Sequence, residues 1–305
     1  QKNFFCPYIG ELFSFKTDSL SIIAKTNVTF DALRFNVASL SYLSSDGTSI
    51  PILIIYSKNY ENKGPRPTLL NFFGGFGITP EANFDPGLIL FLNNGGIFAF
   101  ANVRGGSNSV KDWHEMGSML NKQKTIDDVY HAARFLVDSG YSDQTKIAIK
   151  GGGDGALTAA AVVNQHPEFF KAAILDVGVF DMIREEKFTV GSYNSLREYG
   201  TVANINQFKN LLSYSPLQNI KPNTQYPSLL ISTAEYDDRV PPLHSYKYIA
   251  TLQSMTDSKR PILLRIAKHE GHSTQSIDKS ITSNSHMYCF LFKELGMKYH
   301  AFGNF

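Results

Sequence analysis

Residues 146–160, Lys-Ile-Ala-Ile-Lys-Gly-Gly-Gly-Asp-Gly-Ala-Leu-Thr-Ala-Ala, leave this chain few ways to fold. Ile147 and Ile149 keep the two-residue period of a strand, and the glycines at 151–153 interrupt it. A small-residue run of helical composition then opens at Asp154 or Gly155. A strand that enters a helix through a glycine turn is the repeating unit of a parallel α/β sheet. The rest of the chain alternates in the same way. Strands are expected at Phe98–Val103, Ala172–Val177, Ser228–Thr233 and Ile262–Ala267, and helices at Thr125–Asp138, Gly155–Gln165, Leu243–Met255 and about Ser280–Leu295. In the helix at 125–138, Ile126, Val129, Ala133 and Leu136 recur near helical spacing, and Gly140 follows its end.

The N-terminal part reads as β. A hairpin over 11–25 turns at Thr17-Asp18-Ser19, two strands in 35–56 flank Asp46-Gly47, and Thr68–Phe73 supplies another strand. The expected division is a β-hairpin at residues 1–30 and an α/β domain at 31–305, with a mostly parallel sheet covered by helices on both faces.

A chain of 305 residues, 43% apolar and 18% charged, can bury a sizeable core, and 23 Phe with 15 Tyr give that core many rings. The net charge of +2 leaves no polybasic footprint for nucleic acid or an anionic membrane. No apolar run reaches the roughly 20 residues that span a bilayer. Cys6 and Cys289 have no metal-ligand spacing; they form one bridge between the chain's ends or stay as two thiols. No metal or cofactor is expected. The chain starts at Gln1, and Asn27-Val28-Thr29 is a glycosylation sequon, which together favour a processed, extracellular protein over a cytoplasmic one.

The stretch at 151–155 follows the Gly-x-Ser-x-Gly pattern of a nucleophile elbow, with Gly151 and Gly155 as its frame and Gly153 where the serine would stand. In this fold class the nucleophile is followed in chain order by an acid and then a histidine. Asp237 and His272 each come after an apolar strand and so belong at the strands' C-terminal edge.

Several longer stretches are more specific: Phe72-Phe-Gly-Gly-Phe, Ala101-Asn-Val-Arg-Gly-Gly, Asp112-Trp-His, Asn121-Lys-Gln, Tyr214-Ser-Pro-Leu-Gln-Asn-Ile and Asp237-Asp-Arg-Val-Pro-Pro-Leu-His-Ser. In these the chain closely resembles the prolyl oligopeptidase family of serine peptidases, along essentially its whole length. The resemblance implies an α/β-hydrolase fold and a propeller-less homologue, with residues 1–30 similar to the last strands of the family's propeller. It also implies that Asp237 and His272 match the acid and base of the triad, and that Arg239 matches an arginine that binds substrate near the scissile proline. Other positions depart from the pattern. Gly153 replaces the serine, Asp154 the asparagine whose N–H serves the oxyanion hole, and Phe73 the tyrosine that supplies the second oxyanion donor. Residues 191–200 are one residue longer than the family pattern and lack the tryptophan that stacks on the substrate proline.

The loss of the serine, the tyrosine hydroxyl and the tryptophan at one site leads to the expectation that the chain is not an enzyme. It is read instead as a binding or assembly protein that uses the cleft over Gly153 or the face a propeller would cover. The expected partners are a second copy or another chain on that face, and a peptide or small hydrophobic ligand against Phe73, Phe76, Asp154, Tyr193, Arg239 and His272. The alternatives are a hydrolase whose nucleophile was replaced at Gly153, a residual hydrolase using Asp237 and His272, and a carrier of a small hydrophobic ligand. His114 and His269 are read as surface or packing residues rather than ligands.

Overall fold

The computed structural model describes residues 4–5, 9–25, 30–60, 64–80, 83–188, 192–272 and 276–301. An antiparallel hairpin, β1 (Ile9–Ser14) and β2 (Ser19–Lys25), forms a two-stranded sheet of its own. It turns at Asp18, which has φ 47. Leu12, Phe13, Phe15, Leu20, Ile22 and Ile23 on this hairpin are all exposed. Cys6, on which the choice between a bridge and two thiols turns, and the sequon at Asn27 fall outside the described residues, and Cys289 lies exposed on the last helix.

The main sheet has eight strands. In chain order these are β3 (Phe35–Leu43), β4 (Ser49–Ser57), β5 (Thr68–Asn71), β6 (Ile97–Ala101), β7 (Ile147–Gly152), β8 (Ala172–Asp176), β9 (Ser228–Ala234) and β10 (Ile262–Ala267). Their order across the sheet is β10-β9-β8-β7-β5-β6-β4-β3. The β3–β4 and β4–β6 pairs are antiparallel, and the six strands from β6 to β10 run parallel. This is the α/β-hydrolase fold, a mixed sheet with helices on both faces.

Those helices are α1 (Pro86–Asn93), α2 (Lys122–Asp138), α3 (Asp154–Gln165), α4 (Glu185–Phe188), α5 (Ser192–Tyr199), α6 (Ile205–Tyr214), α7 (Leu243–Met255) and α8 (Ile277–Glu294). Side chains alternate across the central strands. Ile147, Ile149, Ala173, Leu175, Leu229 and Ile231 join the core that contains α2, α3 and α7. Ala148, Ile174 and Leu230 join the core under α1 and α8. Burial on both faces is why β7 and β8 read as nearly continuous apolar runs.

Four helices are absent from the sequence reading. Helix α1 starts at Asp85, whose carboxylate accepts from the Gly87 N–H at 2.8 Å, with Pro86 in the first turn. The other three, α4 to α6, fill the chain between β8 and β9. Asn204 caps α6 by accepting from the N–H groups of Asn206 and Gln207. Helix α2 begins at Lys122, three residues before the expected start, and the Lys122 side chain is fully buried. That burial decides the site.

Candidate active site

The elbow joins β7 to α3. A Cβ on Gly151 would lie 2.0 Å from the Gly155 carbonyl oxygen, so the strand and the first turn of the helix touch only because residue 151 is glycine. Gly153 sits at the tip with φ 56 and ψ −118, and its N–H donates to the Asp176 carbonyl at 2.9 Å. A Cβ on Gly153 would meet nothing within 4 Å. The tip therefore points into open space, in backbone geometry that a side chain adopts only under strain.

Asp237 follows β9 and is buried, while His272 follows β10 and is partly exposed. The His272 Nδ1 lies 3.0 and 2.8 Å from the two Asp237 carboxylate oxygens. Asp237 Oδ1 also accepts from the backbone N–H groups of Arg239 at 3.0 Å and Val240 at 2.8 Å. The carboxylate thus orients both the imidazole and its own loop. Arg239 is exposed, and among the described residues it joins that loop through its backbone N–H. His269 is exposed, and its N–H donates to Glu235.

Phe73 is half-buried on the loop after β5, and its Cα stands 3.5 Å from where a Gly155 Cβ would be. Phe76, three residues on, adopts φ 55 and meets the Tyr199 ring edge-on at 5.7 Å. Tyr193 lies on α5, and its side chain is outside those described. Two cavities of about 360 and 150 Å³ lie elsewhere, the first around Tyr56, Arg66 and Tyr141 and the second around Phe98, Lys150 and Tyr288. Neither is lined by Gly153, Phe73 or His272. Among the described residues no group of three metal-ligating side chains converges.

Beneath the elbow lies a cluster that the sequence reading missed. Asp154 turns inward and is buried; both its oxygens accept from Lys122 Nζ, at 2.8 and 2.7 Å. The Tyr199 hydroxyl donates to Asp154 Oδ1 at 2.8 Å. Lys122 Nζ also donates to the Gly74 carbonyl at 3.0 Å and lies 3.7 Å from Glu198 Oε1. The other Glu198 oxygen is 2.7 Å from His114 Nε2. His114, expected to be a surface or packing residue, is the partly exposed outer end of this hydrogen-bonded cluster. Burial raises the Asp154 pKa, Lys122 lowers it and Glu198 raises it, leaving it at about 6. Burial also raises the phenol pKa of Tyr199 and of Tyr214, and the nearby carboxylates raise both further. A signal for the cluster existed: Lys122 and His114 sit in the Asn121-Lys-Gln and Asp112-Trp-His motifs, and position 154 departs from asparagine.

An acid–histidine pair after two strands of a hydrolase sheet that also carries a strand–glycine–helix elbow defines a protein of serine-hydrolase descent. The Prolyl oligopeptidase family profile matches residues 82–298. The chain belongs to the prolyl oligopeptidase family. It is 35% identical over 298 residues to a prolyl endopeptidase of Elizabethkingia meningoseptica, covering 97% of this chain and 42% of that protein. It is 38% identical over 304 residues to a prolyl endopeptidase of Dictyostelium discoideum, covering 97% of this chain and 40% of that one. Among solved structures, one from a study of two prolyl endopeptidases superposes with a TM-score of 0.94 at 35% identity, over 97% of this chain and 44% of that one. Prolyl oligopeptidase B from Galerina marginata, bound to a 35mer hydrolysis and macrocyclization substrate, gives 0.92 at 31% identity, over 98% of this chain and 43% of that one. The chain thus spans less than half the length of these relatives.

These relatives correct one expectation. The reading that the chain is not an enzyme rested on Gly153, Phe73 and the altered 191–200 segment. Proteins named prolyl endopeptidases match it over 97% of its length, so the family to which it belongs is enzymatic.

Proposed function

We propose that this chain binds peptides in the cleft above the elbow and acts on their carbonyl groups through the Asp237–His272 pair. The observation that carries the reading is the assembled pair. A buried carboxylate grips Nδ1 of a partly exposed imidazole, which leaves Nε2 as the base, the arrangement used in triad hydrolases. Likeness to named prolyl endopeptidases supports a peptide as the bound molecule.

Gly153 decides which oxygen attacks. In triad enzymes the serine oxygen forms the acyl intermediate, and in a related triad its loss alone lowers turnover about 2 × 10⁶-fold. At Gly153 the attacking oxygen comes from water. His272 Nε2 takes a proton as the water oxygen bonds to the carbonyl carbon. The tetrahedral intermediate then collapses, and the same proton goes to the departing amine. The N–H groups of Ala156 and Leu157 donate to the Gly153 carbonyl, so at the start of α3 those of Asp154 and Gly155 are the ones left to serve the developing oxyanion. The rate is slow by family standards, because water is neither held nor polarised as the serine oxygen is.

The test is peptide binding by calorimetry, together with single-turnover cleavage of an activated ester and of a proline-containing fluorogenic peptide. Saturable binding and slow ester cleavage that His272→Ala abolishes are expected. Cleavage that is unchanged in His272→Ala, or the absence of binding, would overturn the reading.

A further inference from the structure

Lys122 carries a single buried ammonium that ties together three elements around the elbow. It holds the β5 loop through the Gly74 carbonyl, the elbow through Asp154, and α5 through Glu198. The tie is close. A Cβ on Gly75 would lie 2.3 Å from Asp154 Oδ2, so the loop carrying Phe73 and Phe76 lies directly against the Asp154 carboxylate. Tyr199 donates to the same carboxylate and presents its ring to Phe76. Whatever changes the charge of Asp154 is therefore felt by both the β5 loop and α5.

The cluster carries more acid than base. Facing the Lys122 ammonium are Asp154 from α3 and Glu198 from α5, both buried, with buried Glu185 from α4 adding to the field at Tyr199 and Tyr214. The phenols of Tyr199 and Tyr214 are neutral, and His114 is the one member that reaches solvent, its side chain 34% exposed. One ammonium between two buried carboxylates in a low-dielectric interior favours uptake of a proton. The hydrogen bonding is also uneven. Lys122 lies 2.7 Å from Asp154 but 3.7 Å from Glu198, and Glu198 Oε1 accepts no hydrogen bond from the described residues. A shift of about 1 Å would move the ammonium from one carboxylate to the other. We propose that Lys122 is the positioning residue of the cleft, and that protonation of Asp154 releases it toward Glu198, loosens the β5 loop and weakens peptide binding.

The direction follows from the bonds. With Asp154 ionised, Lys122 is held on both its oxygens and Tyr199 is held on one, which is the arrangement described. A proton on Asp154 removes the charge that holds Lys122 there. Glu198, already paired with His114, is the remaining anion within reach, so Lys122 moves toward α5 and away from Gly74. The effect belongs to this chain's Asp154, because an asparagine at 154 has no proton to exchange. Its peptide limb rests on the function proposed above, while its structural limb does not.

Carbon-13 NMR of the aspartate side-chain carboxyls follows the proton directly, with the Asp154 signal assigned by its loss in Asp154→Asn. Nitrogen-15 phenylalanine labelling follows the amides of Phe73 and Phe76 in the same samples. Asp154→Asn keeps the shape of the side chain and leaves Lys122 its bond to the Gly74 carbonyl and its ion pair with Glu198, which makes it a milder change than removing Lys122. The Asp154 carboxyl is expected to titrate with a midpoint near pH 6, and the Phe73 and Phe76 amides to move with that midpoint in the wild type but not in Asp154→Asn. Affinity for a proline-containing peptide is expected to fall roughly five- to tenfold between pH 8 and pH 5.5 in the wild type, within the usual span of site-to-site coupling. The part of that fall assigned to Asp154 disappears in the variant. A carboxyl that does not titrate between pH 5 and 7.5 would overturn the proposal. So would loop amides that ignore it, or a peptide-affinity profile identical in Asp154→Asn. If no peptide binds at any pH, the proposed function fails, while the paired carboxyl and amide titrations still decide whether the tie exists.

Discussion

Arg104 grips Asp128 with two nitrogens: Nη2 lies 2.6 Å from Oδ1 and Nε 2.9 Å from Oδ2, and both side chains are fully buried. The Arg104 N–H also donates to Asp128, and Nη1 reaches Asp46 in the β3–β4 turn at 2.6 Å. One guanidinium thus joins the end of β6, the middle of α2 and the antiparallel edge of the sheet. Bidentate arginine–carboxylate pairs are the strong charged hydrogen bonds, and their planar fork is not reproduced by lysine.

Removing one partner of such a pair leaves the other charge buried. Arg104→Ala is expected to destabilise the fold by about 3–5 kcal/mol, the usual cost of breaking a buried pair. Arg104→Lys recovers only part of it. Urea unfolding followed by far-ultraviolet circular dichroism checks both, and a loss under 1 kcal/mol in Arg104→Ala would show that the pair contributes little.

His244 gives a prediction in pH. Its ring is buried, its Nδ1 accepts from the Asp181 N–H at 3.2 Å, and its Nε2 has no hydrogen-bond partner among the described residues. Burial lowers its pKa from 6.5 to about 4, against the opposing pull of Asp181. The fold holds the neutral ring, so its contribution is full above pH 6.5 and is lost as pH falls through about 4. Tm is therefore expected to fall more steeply between pH 6.5 and 4 in the wild type than in His244→Gln. Parallel slopes in thermal melts across that range would mean that His244 titrates alike in the folded and unfolded chain.

The glycines of the elbow are not equivalent. Alanine at 151 would set its Cβ 2.0 Å from the Gly155 oxygen, a backbone atom that cannot move without pulling β7 from α3. Alanine at 153 meets no atom within 4 Å and faces only the strain of φ 56, on the order of 1–3 kcal/mol. Gly151→Ala is expected to abolish soluble folded protein or lower Tm far more than Gly153→Ala. Similar melts for the two variants would show that the elbow relaxes around residue 151.

Much of this was legible in the sequence, and what was not has a physical pattern. Ile147, Ile149, Ala173 and Leu175 announce their strands because each is buried by its own periodicity, and Asp237 and His272 follow strands in the order the fold requires. The Lys122–Asp154–Glu198–His114 cluster has no period. Its bonds join positions tens of residues apart on different elements, and only tertiary packing brings them together. Helices α4 to α6 escaped for a related reason. They are short, at 4, 8 and 10 residues, so even the apolar face of α6, formed by Ile205, Phe208, Leu211 and Leu212, repeats too few times to stand out, and its cap at Asn204 lies inside a polar stretch.

Rebuilding the chemistry at the elbow separates the two oxyanion and nucleophile losses. Serine at 153 has room, since its Cβ meets nothing within 4 Å, and its backbone already holds the strained turn that presents a nucleophile. Gly153→Ser is expected to speed cleavage of an activated ester by more than about 10³-fold and to give a burst of acyl-enzyme, because His272 is already gripped by Asp237. Proline-peptide cleavage stays poor in that variant, since Phe73 offers no hydroxyl to the oxyanion and no tryptophan stands on the 191–200 segment. Adding Phe73→Tyr is expected to raise it a further 10²–10³-fold, roughly the value of one oxyanion donor. Stopped-flow kinetics of the single and double variants measure both steps. An ester rate unchanged by Gly153→Ser would mean that His272 does not reach an oxygen at the elbow's tip, and the water-attack route proposed for the wild type would fall with it.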